Sequence, residues 1–262
     1  MKQCPKCGFT RSWSLADGRF KCKRCSTRYR PNVDRSIWAS FRLSEKTKVT
    51  LLDYFLLGVP SYRLRFHSLA CRSTRERFFR AIRAAMAYEE KLREPFDGLV
   101  ECDEITFGGY QPGKRGWGAY GKIIVFGILK RNGLVRLCPV AKRTKKEVIE
   151  QIRLHTRPGS LYYTDQWKAY ASLAVRGEHV IVKKERGKPK GKDHINGIEG
   201  FWSYAKHWLY MYRGMPQKLV HLYLGEVSYR FNHRGEALFP LVNGLVRHLS
   251  MNEINRILVQ IH

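Results

Sequence analysis

Three acidic residues of this chain stand where acidic residues are costly. Asp103 lies inside the otherwise apolar run 99–107. Asp165 follows directly on Leu161-Tyr162-Tyr163-Thr164, and Glu199 lies among Ile195, Ile198, Phe201 and Trp202. A carboxylate in a strand or at a buried edge is unfavourable unless a cation balances it. Hard divalent cations take oxygen ligands. Two of them, about 3.5–4 Å apart, clamp a phosphodiester: one activates the attacking water or 3′-hydroxyl, the other stabilises the leaving oxygen. The chemistry suggested is Mg2+- or Mn2+-dependent phosphoryl transfer, which needs no serine or tyrosine nucleophile. Glu101 and Glu104 flank Asp103 and remain alternative ligands.

A second constellation opens the sequence. Cys4 and Cys7 form one C-x-x-C pair, Cys22 and Cys25 another, with fourteen residues between the pairs. Two such turns brought together by a short hairpin supply the four thiolates of a tetrahedral zinc. Four cysteines leave no open coordination position, so this zinc is structural. Residues 1–30 are too few for an adequate core, and the metal would supply the folding energy. The other three of the seven cysteines, Cys71, Cys102 and Cys138, are isolated. An odd count, with no export signal in residues 1–10, suits a reducing cytoplasm better than a disulfide framework.

Charge indicates the partner. Lys and Arg number 49 against 22 Asp and Glu, a formal net charge of +27. Self-repulsion of that size is relieved by a polyanion, and nucleic acid is the leading one. A membrane surface competes poorly, because the basic residues are spread along the chain instead of gathered on one amphipathic helix. No apolar run reaches the roughly 20 residues of a membrane span. Hydrophobic residues at 44% of the 262 are enough for a sizeable core.

These groups need elements to position them. After the zinc-binding unit of 1–30, residues 31–95 read as a helical, helix-turn-helix-like DNA-binding region. One helix runs from Ser44, its N-cap, to Leu57; Gly58-Val59-Pro60-Ser61 breaks the chain; a long helix opens at Ser73 and runs to about Tyr88. Arg72, Arg75, Arg80 and Arg83 are expected on its outer face, to meet DNA. Residues 96–215 follow as strand (99–107), strand (123–130), hairpin turn at Arg131-Asn132-Gly133, strand (134–140), helix (144–157), strand (160–164), short helix (167–174), strand (179–182) and helix (194–210). That order is the ribonuclease-H-like α/β fold, a mixed five-stranded sheet flanked by helices, which brings Asp103, Asp165 and Glu199 to one side. Lys114 and Arg115, with Trp117, lie in a basic glycine-rich loop; Lys183, Lys184, Lys188 and Lys190 lie in another, and both are expected to contact phosphate. Residues 216–262 read as helices packed on the catalytic domain.

In these blocks the chain resembles the zinc-ribbon insertion-sequence transposases, the ISXO-like group of DDE transposases. The matching residues are Glu101-Cys102-Asp103-Glu104 with Phe107-Gly108-Gly109; Gly127-Ile128-Leu129; Tyr163 to Tyr170; His194 to Ser203, which includes Asn196-Gly197-Ile198-Glu199; and Arg230-Phe231-Asn232. The resemblance implies binding of terminal inverted repeats, cleavage at transposon ends and strand transfer to target DNA. It makes Asp103 and Asp165 the first two ligands. Thirty-three residues lie between Asp165 and Glu199, close to the spacing such enzymes show. Relatives place an asparagine at the third position, and Asn196 lies three residues before Glu199; Glu199 is preferred as the better Mg2+ ligand. Lys206, seven residues on, shares that helix face and is expected to hold DNA phosphate. The partner implied is double-stranded DNA, with a homo-oligomer assembled on it, in a prokaryotic cytoplasm and on the nucleoid. The other readings are a catalytically silent DNA-binding derivative and a nuclease of the same fold.

Overall fold

The computed structural model describes residues 4–30, 35–67, 69–108, 122–167, 170, 173, 176–182, 193–212 and 215–258. The first unit is a three-stranded antiparallel sheet: β1 (Ser12–Ser14), β2 (Phe20–Cys22) and β3 (Arg28–Tyr29). α1 (Glu45–Leu56) starts at Ser44, whose Oγ accepts the Thr47 amide at 3.1 Å, as its N-cap role predicts. Gly58, at φ 76°, turns the chain into a 3₁₀ segment, Ser61–Phe66, before α2 (Arg72–Leu92).

The second sheet carries the order β6-β5-β4-β7-β8. Its strands are β4 (Leu99–Phe107), β5 (Ile123–Lys130), β6 (Val135–Val140), β7 (Leu161–Thr164) and β8 (His179–Ile181). β4, β5 and β6 form an antiparallel meander, whereas β7 and β8 run parallel to β4. This is the mixed sheet expected from the order of elements. β5 is apolar on both faces, as a strand covered on both sides must be. α3 (Lys145–His155) crosses one face and packs Val148 and Ile152 against Val100, Cys102, Phe126 and Ile128. α4 (Asn196–Leu209) covers the other, with Ile198, Phe201 and Trp202 against Val125, Leu129 and Tyr163. The short helix expected at 167–174 lies mostly outside the described residues.

The expectation that 216–262 packs on the catalytic domain needs correction for its last two helices. α6 (Leu238–His248) and α7 (Met251–Leu258) complete the core of the N-terminal helices, setting Val242, Val246 and Ile254 with Leu51, Phe55, Phe78 and Ile82. α5 (Val220–Asn232) joins both bodies: Leu222 and Tyr229 belong to that core, Leu224 and Val227 to the α4 side of the sheet. Periodicity in the sequence reveals a buried face but not the partner that buries it.

α5 is tied down by polar contacts as well. A Cβ on Gly225 would lie 2.4 Å from Ala87 Cβ, so α5 meets α2 at backbone distance. Glu226 is wholly buried and accepts from Arg83 at 2.6 Å and from Arg230 at 2.9 Å. Arg230 also donates to Phe55 O (2.8 Å) and Leu56 O (2.9 Å), satisfying carbonyls that the end of α1 leaves without helical partners. Asn232 accepts the Val135 amide at 2.8 Å and donates to Val135 O at 3.0 Å. It thus stands in for a neighbouring strand at the edge of β6.

The arginine face of α2 also needs correction. Arg72 and Arg80 are exposed, but Arg75 and Arg83 are buried. Arg75 donates to Ala70 O. Arg83 lies one turn past Phe79, on the apolar stripe itself, where Glu226 meets it. Every residue from Ala81 to Met86 is buried, so α2 is enclosed along its middle and faces outward at its two ends.

His155, at the end of α3, accepts at Nδ1 from Arg136 Nη1, 2.8 Å away, because a guanidinium can only donate. Burial, then the Arg136 charge, pushes its pKa from 6.5 down to about 4. Between those values the unfolded chain binds a proton that the folded chain refuses. Stability therefore rises with pH across this window and is lost as pH falls through it. Melting temperatures at pH 7 and pH 5 should fall further apart for wild type than for His155→Gln. Equal drops would remove His155 from the acid sensitivity.

Candidate active site and thiolate cluster

β4 and β7 bring two of the expected carboxylates together. Their parallel register pairs Glu101 with Tyr163, and the same offset carried two residues on sets Asp103 level with Asp165. Carboxylate oxygens of Asp103, Asp165 and Glu104 all lie within 4.8 Å of one another. Asp103 faces α4, where the Trp202 indole donates to its Oδ2 at 3.1 Å. Asp165 Oδ1 accepts the Trp167 amide at 3.0 Å, which fixes the turn beyond β7. Three carboxylates at this separation suit a hard divalent cation and repel one another without one.

Glu104 is the member that the sequence offered only as an alternative. It points to the α3 side, buried, and accepts from Tyr170 OH at 2.8 Å and Arg143 Nη2 at 3.2 Å. Burial pushes its carboxyl pKa up, against the Tyr170 hydrogen bond and the Arg143 charge. Arg143 in turn lies 4.0 Å over the Trp167 ring. Neither Tyr170 nor Arg143 was a candidate from sequence; a basic residue just before the α3 N-cap gave no signal of its own.

Glu101 lies outside the carboxylate cluster and clamps α4 instead. Its Oε2 accepts the Ile198 amide at 2.9 Å, in the first turn of α4, and its Oε1 accepts from Arg131 at 2.8 Å. A carboxylate at a helix N-terminus is favourably placed. Two glycines let α4 come this close. Gly127 pairs with Asp103 across β4 and β5, and a Cβ there would stand 2.5 Å from the Trp202 ring. A Cβ on Gly197 would stand 2.9 Å from Glu101 Oε2.

Glu199 is not part of the 4.8 Å cluster; it is exposed on α4, one turn before Trp202. Lys206, one turn after Trp202, and Asn196, at the start of the helix, are exposed too. His194 Nδ1 accepts the Asn196 amide at 3.4 Å, a capping contact. Lys114, Arg115, Trp117, Lys183, Lys184, Lys188 and Lys190 lie outside the described residues.

The four N-terminal thiols also converge within 4.8 Å. Cys4 Sγ lies 3.5 Å from Cys25 Sγ, and Cys7 Sγ 3.6 Å from Cys22 Sγ. Sulfurs bound tetrahedrally to zinc sit about 3.8 Å apart. The two knuckles repeat each other. Gly8 N donates to Cys4 O as Ser26 N does to Cys22 O, and Cys4 N donates to Phe9 O as Cys22 N does to Thr27 O. Gly8 (φ 71°) and Ser26 (φ 56°) take the same left-handed turn. The Thr27 side chain and backbone pull the Cys25 thiol down to about 6. Against the Phe9 backbone, burial and the neighbouring Cys25, Cys22 and Cys4 thiols push the Cys7 thiol up to about 12. Four thiols this close do not all ionise without a cation.

Together, a mixed five-stranded sheet with acidic residues within its central strand β4 and just past the neighbouring strand β7 defines an α/β domain of ribonuclease-H-like architecture, joined to a cluster of four cysteines. A family model described as the ISXO2-like transposase domain matches residues 95–232, and the chain belongs to that family. It is similar to a protein of Haemophilus influenzae named "Uncharacterized transposase-like protein": 35% identity over 83 residues, which cover 31% of this chain and 68% of that protein. Among solved structures, the catalytic core domain of HTLV-2 integrase in complex with magnesium matches at 15% identity with a TM-score of 0.34, over 54% of this chain and 89% of that one.

Proposed function

We infer that this chain is an insertion-sequence transposase that binds the terminal inverted repeats of its element, cleaves there and transfers the strand to target DNA. The observation that carries the reading is the meeting of Asp103, in the middle of β4, with Asp165, just past the end of the parallel strand β7, in a chain of this family. Asp103, Asp165 and Glu199 would hold Mg2+ or Mn2+. When bound, these ions activate the attacking hydroxyl and stabilise the leaving oxygen.

The chain's own residues do the rest. Trp202 fixes Asp103, and the Asp165 turn fixes its carboxylate beside it. Glu101 locks the first turn of α4, so Glu199 is carried on a helix with a set position relative to β4. Glu104 already serves Tyr170 and Arg143, so it supports the site electrostatically and leaves the third ligand to Glu199. Lys206, with Asn196 on the same exposed flank, meets the DNA phosphate. Arg72 and Arg80 on α2, with the loop lysines and Arg115, contact the transposon end. Phosphate contacts of this kind position the DNA without reading its sequence. Two ends held at once call for a homo-oligomer on DNA, working in the cytoplasm. Among the described residues no helix is long and apolar enough to cross a membrane.

The test is strand transfer on labelled DNA carrying the element's own ends. Product that appears with Mg2+ or Mn2+ and vanishes with chelator supports the reading. A folded, DNA-binding protein that yields none favours a silent DNA-binding derivative. Cleavage without joining favours a nuclease of the same fold.

Zinc on Cys4, Cys7, Cys22 and Cys25 would hold the N-terminal unit. Its chelation is expected to unfold residues 4–30 while the sheet domain, whose cores are separate, keeps its structure. Hydrogen exchange with and without chelator reads this directly. Unchanged protection of β1–β3 after metal removal would show that the unit folds without it.

A further inference from the structure

Between the 3₁₀ segment, α2 and the stretch that joins α4 to α5, the helical body opens into a cleft of about 320 Å³. Sites for small molecules begin at about this size. Phe79, Tyr212, Tyr223, Met211 and Met215 give it aromatic and apolar walls.

Arg83 also lines the cleft, and it is almost wholly buried. Its Nε is bonded to Glu226, and its guanidinium lies 4.2 Å from the Tyr223 ring and 4.9 Å from the Tyr212 ring. Its Nη2 is buried without a hydrogen-bond partner of normal geometry among the described residues. The Tyr212 hydroxyl donates to Gly58 O at 3.4 Å and meets the Arg83 guanidinium only in a poorly aligned contact.

A buried N–H without a well-aligned acceptor is costly, so a ligand that reaches Arg83 from the cleft gains by supplying one. Glu226 is shared between Arg83 and Arg230, so one positive charge remains in the buried trio; the apolar, aromatic walls favour the electron-rich edge of a planar ring over a hydrated anion. The rim has the opposite character. Arg80 is exposed there, as is Arg72, which is paired with Glu76 at 2.7 Å, and Tyr62 stands half exposed with the Arg63 guanidinium 6.0 Å over its ring. Apolar, flat walls with one donor inside, and cations at the mouth, fit a nucleobase that enters with its phosphates left at the rim.

We propose that this cleft receives a nucleobase turned out of bound DNA, with its ring among Phe79, Tyr212 and Tyr223 and a carbonyl oxygen or ring nitrogen accepting from Arg83 Nη2. Arg72 and Arg80 hold the flanking phosphates. The proposal rests on the reading of the chain as a DNA-binding protein and adds a site to it. It does not involve the carboxylates, so it can fail while that reading stands.

The experiment uses the full chain and duplex DNA from the element's ends, with a mismatch at each position in turn, and reads affinity by fluorescence anisotropy. A mismatch removes the pairing that extrusion must break, so binding should tighten about tenfold at the position whose base enters the cleft. Met211→Trp, which fills the cleft from its wall, should erase that gain. Arg80→Ala, an exposed change at the rim that keeps the fold, should reduce it severalfold. A gain that survives in both folded variants, or no position that gains, overturns the proposal. Failure to bind any duplex overturns the DNA-binding reading and the proposal with it.

Discussion

Asp165→Ala should lower strand transfer by about 10³-fold or more while leaving DNA affinity and melting temperature close to wild type. Metal ligation of the reacting oxygens contributes several kcal/mol to the transition state, and each 1.36 kcal/mol or so is a factor of ten in rate. The carboxylate has a second role in the turn, where Oδ1 accepts the Trp167 amide. Asp165→Asn keeps an oxygen for that bond and removes the charge. It should therefore be as inactive as Asp165→Ala. An active Asp165→Asn would reduce Asp165 to a turn residue and remove it from the chemistry. The same series separates Glu199 from Glu104. Glu199→Gln should fall with Asp165→Asn. Glu104→Gln retains partners for Tyr170 and should keep most of its activity; the reverse order would hand the third position to Glu104.

The largest effect on stability is expected at Glu226. Its removal leaves Arg83 and Arg230 buried with their charges uncompensated. Breaking a buried ion pair from one side costs about 3–5 kcal/mol, a large part of the 5–15 kcal/mol or so that holds a typical domain. Glu226→Ala should shift the denaturant midpoint of the helical core sharply downward with little change in slope. A shift equivalent to less than about 1 kcal/mol, the range of an exposed pair, would show that the two guanidinia find other partners. Gly225→Ala tests neighbouring ground without charge, because its methyl would meet Ala87.

Much of this was legible in the sequence, for reasons that can be located. The strands β4 to β8 were readable because apolar runs such as Ile123–Lys130 are bounded by turn residues, and Asn132 does take the positive φ of its turn. The four cysteines were readable because zinc chemistry dictates their number and spacing. Asp103 and Asp165 were readable because one lies inside a strand and the other directly follows one, where an uncompensated carboxylate is costly. What could not be read involves residues distant in sequence. Nothing near Arg83 in the chain shows that Glu226 will meet it, so an arginine in the core looks like one on the surface. Glu101, Asp103 and Glu104 are near neighbours on one strand. Only the packing of α4 on one face, and of Tyr170 on the other, gives them different work. The tail was recognised as helical, but its partner was chosen by shape, as at Gly225 and Ala87.

The helical core is discontinuous in the chain: α1 and α2 precede the entire sheet domain, and α5, α6 and α7 follow it. During synthesis the N-terminal helices emerge early with Phe55, Phe78 and Ile82 still uncovered. They acquire their partners only after α7 has been made. Closing so long a loop is slow, and uncovered apolar surface exposes a nascent chain to chaperones and proteases in the meantime. A translation product that stops short of α5 would lack Glu226 and Arg230 and so could not bury Arg83 in paired form. Incomplete copies would be degraded instead of competing with finished ones for the ends of the element.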